Sequence, residues 1–260
     1  MSKRIYVDHL KRTIILNYYP KRVISIVPSL SELLINLGLK HLLVGITNYC
    51  IHPKNDTDLI RKIGGTKTPK IDLILELAPD IVIANKEENK MSDIEAISKH
   101  TSVWVSDISS YDDNFKLIIE LGKLFNKKLE ATNLCAVIKN NWRKVPKIKS
   151  KSCLYFIWRN PYMVAGKDTF INAVLAKSGF KNLISQNRYP TQKINDLISL
   201  SPELIFLSTE PYCFKEKHIS EFRELFPNAI IKIVDGELFS WYGSRQKFLP
   251  SYLIKLKMSL

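Results

Sequence analysis

The chain has 260 residues, of which 45% are hydrophobic, and it contains only 9 glycines and 12 prolines. A chain of this length and composition can bury a sizeable core and has little room for disorder. Its net charge of +14 comes from 39 lysines and arginines against 25 acidic residues. The basic residues are scattered, and no zinc finger, aromatic-plus-basic RNA-binding pattern or helix-turn-helix accompanies them. We therefore expect a solvated basic surface and no nucleic-acid partner, although a bias toward anionic small ligands stays open.

The polar N-terminal segment is followed by only one short apolar stretch, at 14–16, and no apolar run approaches the roughly 18 residues of a membrane span. As written, the sequence predicts a cytoplasmic protein. The four cysteines lie far apart without a C-x-x-C pair, so we expect buried thiols rather than a zinc site or a disulfide framework: Cys50, Cys135, Cys153 and Cys213.

One supersecondary unit occurs twice along the chain. Residues 70–83 recur in loose form as residues 193–206. Each copy has the pattern of a short amphipathic helix that a proline ends, followed by an apolar β-branched run typical of a buried parallel strand. A strand, a turn and a helix precede both copies. The sequence therefore predicts two α/β lobes of similar construction with a ligand-binding cleft.

The segment between the two copies is a second organising feature. From Asp112 or Asp113 to Val145 there is no proline, and apolar residues continue at helical spacing. We expect one spine helix here, about 50 Å long at 1.5 Å per residue, which allows only a small closure. Two helices broken near Asn126 are the alternative. The predicted domains are an N-terminal lobe at 1–110, the spine at 111–146 and a C-terminal lobe at 147–260.

A characteristic order of motifs runs through the segments at 22–34, 37–38, 44–49, 63–65, 160–169, 179–183 and 241–245. This order resembles the helical-backbone (class III) substrate-binding proteins of ABC importers for cobalamin, ferric siderophores and haem, and is most similar to the cobalamin-binding branch. It implies an α/β fold of two Rossmann-like lobes with parallel sheets, joined by one long helix. It also implies a monomer that is periplasmic or membrane-anchored, if an upstream signal is missing from this sequence.

The candidate ligand contacts lie in loops that follow the predicted strands, where parallel sheets open into a crevice. Flat aromatic side chains suit a macrocycle, and arginine can hold a carboxylate, phosphate or amide oxygen. Tyr49 and Arg245 match family positions at the ligand, whereas Thr66 and Asn85 stand where cobalamin binders carry tryptophan, so a different or smaller corrinoid, a siderophore chelate or another ligand stays open. The predicted set is Tyr49, Trp158, Arg159, Tyr189, Trp241, Tyr242 and Arg245.

Two carboxylates are assigned to a partner by the same resemblance. In the family, a glutamate on each lobe docks to arginines of the membrane permease, and Glu32 and Asp168 occupy these places. Each could instead complement a helix N-terminus.

The sequence favours binding over catalysis. There is no complete phosphate loop, nucleophile elbow or dinucleotide fingerprint, and the five histidines form no i, i+4 pair. We therefore expect no catalytic residue, no intrinsic cofactor and no metal held by the protein itself. The ligand would be a corrinoid or another metal chelate. A cytosolic enzyme or metallochaperone of tetrapyrrole metabolism on the same scaffold is the alternative.

Overall fold

The structure is a computed structural model and describes residues 3–260. These residues form two compact units. Unit 1 contains the described residues up to Asp107, together with Asp113–Ile138 and Tyr242–Arg245. Unit 2 contains Ile108–Asp112, Lys139–Trp241 and Gln246–Leu260. The domain boundaries predicted from the sequence stay a prediction.

Unit 1 begins with an antiparallel hairpin of β1 (Arg4–Val7) and β2 (Thr13–Leu16). Its main sheet is fully parallel, in the order β4-β3-β5-β6. The strands are β3 (Val23–Ser25), β4 (Leu43–Ile46), β5 (Ile81–Asn85) and β6 (Ser102–Ser106). The helices between them are α1 (Pro28–Asn36), α2 (Lys54–Thr57), α3 (Ile71–Glu76) and α4 (Met91–Ser98). Every residue of β5 is buried, as expected of a strand covered on both faces.

Unit 2 repeats this architecture around a second sheet, in the order β11-β10-β7-β8 with β9 beside β7. Only the β7–β8 pairing is antiparallel. The strands are β7 (Lys151–Trp158), β8 (Met163–Val164), β9 (Phe180–Asn182), β10 (Leu204–Ser208) and β11 (Ile230–Val234). The helices that follow the linking segment are α7 (Phe170–Lys177), α8 (Ile194–Ser199), α9 (Glu216–Leu225), α10 (Gly236–Ser240) and α11 (Leu249–Met258).

The repeat seen in the sequence is confirmed. The pair α3 and β5 in unit 1 corresponds to α8 and β10 in unit 2, and both strands are wholly buried. Both connections also share a left-handed residue directly before the proline, Ala78 at φ 42° and Ser201 at φ 46°. The α/β fold class with parallel sheets is therefore confirmed.

The prediction of one unbroken spine helix is wrong. The segment forms two helices, α5 (Tyr111–Leu124) and α6 (Lys128–Trp142). Asn126 lies in the left-handed region at φ 57°, a conformation that ends a helix and that asparagine tolerates. A Cβ added to Gly122 would lie 2.5 Å from the Cβ of Ala131, so the two helices approach closely at the break. The alternative that the sequence left open, a break near Asn126, is the correct one.

Three of the four thiols are buried, and Cys213 is exposed. Burial raises the pKa of Cys153 to about 12, so this sulfur stays protonated. Within residues 3–260, none of the helices is both long enough and apolar enough to span a membrane.

Candidate functional site

Tyr49 lies in the loop after β4, at the carboxyl edge of the unit 1 sheet. Its side chain is 61% exposed, and the neighbouring Ile51 is 50% exposed. The Tyr49 ring packs against Gly65, where a Cβ would lie 3.3 Å from Cε2. A side chain at position 65 would therefore press on the ring. The glycine lets the exposed ring pack closely against the adjacent loop.

The side chain of Asn89 anchors the loop that contains Gly65 and Thr66. Its amide nitrogen donates to the carbonyls of Ile26 at 3.1 Å and Thr66 at 2.9 Å, and its side-chain oxygen accepts from the backbone N–H of Asn85 at 2.9 Å. Asn85 is buried and caps the next turn through the N–H groups of Glu87 and Glu88. Asn85 thus has a structural role where relatives were expected to present tryptophan. Sequence reasoning missed Asn89, although an asparagine four residues after the end of a strand is typical of a turn-forming residue.

Trp158 and Tyr212 form an aromatic pair at the carboxyl edge of the unit 2 sheet. Trp158 ends β7 and is 38% exposed, and its ring meets that of Tyr212 edge to face at 5.6 Å. The Tyr212 hydroxyl lies 3.2 Å from Nε2 of His218. The exposed indole therefore rests on a fixed aromatic support, which is suited to a flat ligand. Tyr212 was not among the predicted contacts.

Arg159 follows Trp158 and is paired with Glu221 of α9. Its Nε donates to both carboxylate oxygens, at 2.9 and 3.0 Å, and the Tyr162 hydroxyl donates to the same carboxylate at 2.9 Å. Burial pushes the pKa of Glu221 up, but the hydrogen bonds from Arg159 and Tyr162 outweigh it, and the net shift is downward. The ion pair fixes the Arg159 side chain against α9.

A cavity of about 420 Å³ lies at the carboxyl ends of β10 and β11 in unit 2. Three carboxylates line it, those of Glu210, Asp235 and Glu237. Burial, with the nearby charges of Glu237 and Asp235, raises the pKa of Glu210, against the hydrogen bond that it accepts from Ser240. These residues were not predicted from the sequence, because the loops after two separate strands, β10 and β11, bring them together.

The predicted contacts at 241–245 differ from one another in accessibility. Trp241 is half-buried, whereas Tyr242 and Arg245 are 6% and 8% exposed. The Nε of Arg245 donates to Glu32 at 2.9 Å, and Glu32 is 3% exposed. In this structure Tyr242, Arg245 and Glu32 are almost fully buried, and the charges of Arg245 and Glu32 compensate each other inside unit 1. Their assignments to the ligand and to the permease stay predictions.

Two further predicted residues lie in loops of unit 2. Tyr189 is half-buried, and Asp168 is exposed with a left-handed backbone at φ 57°. Thr169, not Asp168, caps α7, since its side chain accepts from the N–H of Asn172 at 3.1 Å. Asp168 is thus presented at the surface beside a helix start, and its assignment to a partner stays a prediction.

Residues 3–260 contain no group of three or more histidine, cysteine, aspartate or glutamate side chains arranged to hold a metal ion. The groups that follow the strands are aromatic rings, amides, paired charges and the three carboxylates of the cavity at β10 and β11.

An α/β chain with two parallel sheets and exposed aromatic rings at their carboxyl edges has the construction of a binding protein. The model of the periplasmic binding protein family matches residues 23–232. The chain therefore belongs to that family, which confirms the resemblance seen in the sequence.

Two curated relatives come from Bacillus subtilis. An uncharacterised ABC transporter substrate-binding lipoprotein, YvrC, is 26% identical over 72% of this chain. The Fe(3+)-citrate-binding protein YfmC is 24% identical over 73% of it. The matched part spans 63% of the length of each relative. Among solved structures, the periplasmic vitamin B12-binding protein BtuF of Vibrio cholerae matches with a TM-score of 0.79 and 17% identity, over 93% of this chain and 98% of that one. This likeness shows a shared fold.

Proposed function

We propose that the protein captures a metal chelate and delivers it to an ABC importer. The observation that carries the proposal is the pair of exposed aromatic surfaces at the carboxyl edges of the two sheets, Tyr49 against Gly65 and Trp158 on Tyr212. Rings held in this way bury much apolar ligand area at little cost in side-chain entropy. Family membership supports the same role.

The ligand class is a corrinoid, a ferric siderophore or haem, bound as an intact complex. Relatives whose names include ferric citrate and vitamin B12 support a chelate over a bare ion. On the protein side, the proposed contacts are the accessible members of the predicted set: Tyr49, Trp158, Arg159, Tyr189 and Trp241.

The proposed partners are the permease subunits of the importer. Asp168 is the better docking candidate, because it is exposed, whereas Glu32 would first have to leave Arg245. Neutralising Asp168 should lower transport and leave ligand affinity unchanged. Transport assays with Asp168→Asn, compared with the exposed neighbour Lys167→Gln, test this assignment.

Titration calorimetry with cobalamin, cobinamide, haem and ferric citrate, alongside free Co²⁺ and Fe³⁺, tests the main proposal. We expect one chelate to bind and the free ions not to bind. Tyr49→Ala should weaken binding by about 1 to 3 kcal/mol through lost stacking area. Tyr18→Ala is the matched control, since Tyr18 is 50% exposed in unit 1 but lies at the amino end of β5, where its hydroxyl donates to Asp80. Tight binding of a bare ion without any response to a chelate would refute the proposal.

A further inference from the structure

The N-terminal hairpin turns an apolar face to solvent. The outward side chains of Ile5, Val7 and Ile15 are 67%, 51% and 52% exposed, whereas the inward Ile14 and Leu16 are 6% and 7% exposed. Ile5 and Ile15 are cross-strand partners, so the exposed groups form one continuous patch. A hairpin with one face on a core ordinarily carries polar residues on the other. This face therefore needs an explanation.

The charge around this patch is almost entirely positive. Residues 3–22 contain six basic residues and one acidic residue, Asp8. The Asp8 carboxylate is 3% exposed and is held by Arg12 through Nε at 2.8 Å and Nη2 at 2.7 Å. It is thus neutralised within the hairpin. Lys3 and Lys11 are exposed beside the apolar face.

A groove of about 760 Å³ adjoins the patch and shares Ile15 with it. Arg12, Lys99 and His100 line the groove. Its one acidic lining residue, Asp80, accepts hydrogen bonds from the backbone N–H groups of Lys21 and Arg22 and from the Tyr18 hydroxyl. The groove therefore places Lys99 next to aliphatic groups, together with Arg12, whose charge is balanced by Asp8.

We propose that the hairpin face and this groove bind the surface of an anionic lipid bilayer. Aliphatic side chains enter the interface while the surrounding lysines and arginines meet acidic headgroups, and the two contributions add. A second copy of the chain is a poorer occupant, because it would bring the same positive charge against this face. The surface lies within unit 1, and the proposal does not depend on the identity of the ligand.

Vesicle co-sedimentation of the full-length protein tests this proposal. With phosphatidylcholine vesicles containing about 30% phosphatidylglycerol at low salt, we expect binding that weakens as salt is added, and none with phosphatidylcholine alone. The variant Ile5→Thr/Val7→Thr/Ile15→Thr keeps β-branched side chains and should lower the partition coefficient about tenfold. Lys3→Gln/Lys11→Gln/Lys99→Gln should lower it by a similar factor.

Two matched variants serve as controls. Leu129→Gln/Val137→Gln/Met258→Gln removes three other exposed apolar side chains, and Lys144→Gln/Lys181→Gln/Lys217→Gln removes three other exposed lysines. Both should bind vesicles as the wild type does. The proposal is overturned if the wild type does not bind acidic vesicles, or if the control and test variants lose binding equally. It is also overturned if sedimentation velocity shows a dimer of the protein that only the threonine variant disrupts.

Discussion

At the scale of single residues, the main finding is the pairing of two groups that the sequence assigned to different tasks. Arg245 was expected at the ligand and Glu32 at the permease, yet they form one ion pair with side chains 10% and 4% exposed. Removing one member of such a pair leaves the other charge buried without compensation. Both residues therefore contribute first to the integrity of unit 1.

Glu32→Ala should lower the free energy of unfolding by about 3 to 5 kcal/mol. Urea denaturation followed by circular dichroism measures the loss. Glu130→Ala, which breaks the exposed pair with Lys127, should change stability little and is the control. Equal effects of the two substitutions would contradict a structural role for the buried pair.

A second residue-scale prediction concerns pH. His9 lies in the hairpin turn, with Nε2 2.9 Å from Glu120 of α5 and Nδ1 2.9 Å from the carbonyl of Asp107. Burial lowers the pKa of His9, but these hydrogen bonds and the charge of Glu120 outweigh both burial and Lys116, and the net shift is upward. The interaction should stabilise the fold fully below a pH of about 6.5 and be lost as the pH rises through the raised pKa.

His9→Gln should therefore reduce stability more at pH 6 than at pH 9, two values chosen to lie on either side of the ordinary histidine pKa of about 6.5. Thermal denaturation across this range measures the difference. His41→Gln, at an exposed histidine, is the control. If His9→Gln lowers stability equally at both values, the charged form of His9 does not contribute.

At the scale of elements, the repeated helix-strand units could be predicted from the sequence. The break in the linking helix, which depends on contacts between distant residues, could not. The two helix-strand copies follow from a local apolar pattern that fixes which faces are buried. The break between α5 and α6 follows from one left-handed asparagine and the contact of Gly122 with Ala131, which periodicity does not register. Tyr49 and Trp158 could be selected by their place at the ends of predicted strands, whereas Glu221 lies within α9 and meets Arg159 only in the folded chain.

Gly122→Ala should destabilise the protein although alanine is the better helix former. The gain in helix propensity is about 1 kcal/mol. The added Cβ would lie 2.5 Å from that of Ala131, and relief of such overpacking costs about 1 to 3 kcal/mol. Chemical denaturation of a double-mutant cycle with Ala131→Gly measures the coupling. We expect Ala131→Gly to be less harmful in the Gly122→Ala background, and additive effects would contradict a tight helix crossing.

At the scale of the whole molecule, unit 1 is built from segments that lie far apart in the chain. Four residues near the C-terminus, Tyr242–Arg245, belong to unit 1, although the residues on either side belong to unit 2. They supply the Arg245 partner of Glu32, and the Gly243 N–H donates to Asn114 at 2.5 Å. Unit 1 is therefore incomplete without the Tyr242–Arg245 segment, which follows Ile138 by more than 100 residues in the chain.

A fragment of residues 1–138 should accordingly unfold at lower urea than the intact protein. The substitution Glu32→Gln provides a sharper measurement, because its effect on the free energy of unfolding should differ in sign between the fragment and the intact protein. In the intact chain the substitution leaves Arg245 without its charge partner and destabilises, whereas in the fragment it removes a carboxylate that has already lost its Arg245 partner and stabilises. The same sign in both would show that Arg245 is not what compensates Glu32.

The insertion of Tyr242–Arg245 into unit 1 also limits how ligand specificity can be exchanged among related proteins. A chimera joined only at the linking helices would combine the Glu32 of one parent with the 242–245 segment of the other. Recombination of this kind should succeed when the four residues are inherited together with the first 138. A chimera library with crossovers after Ile138, Trp241 and Arg245 would thus keep Glu32 and Arg245 from the same parent. A library with a single crossover after Ile138 would separate them.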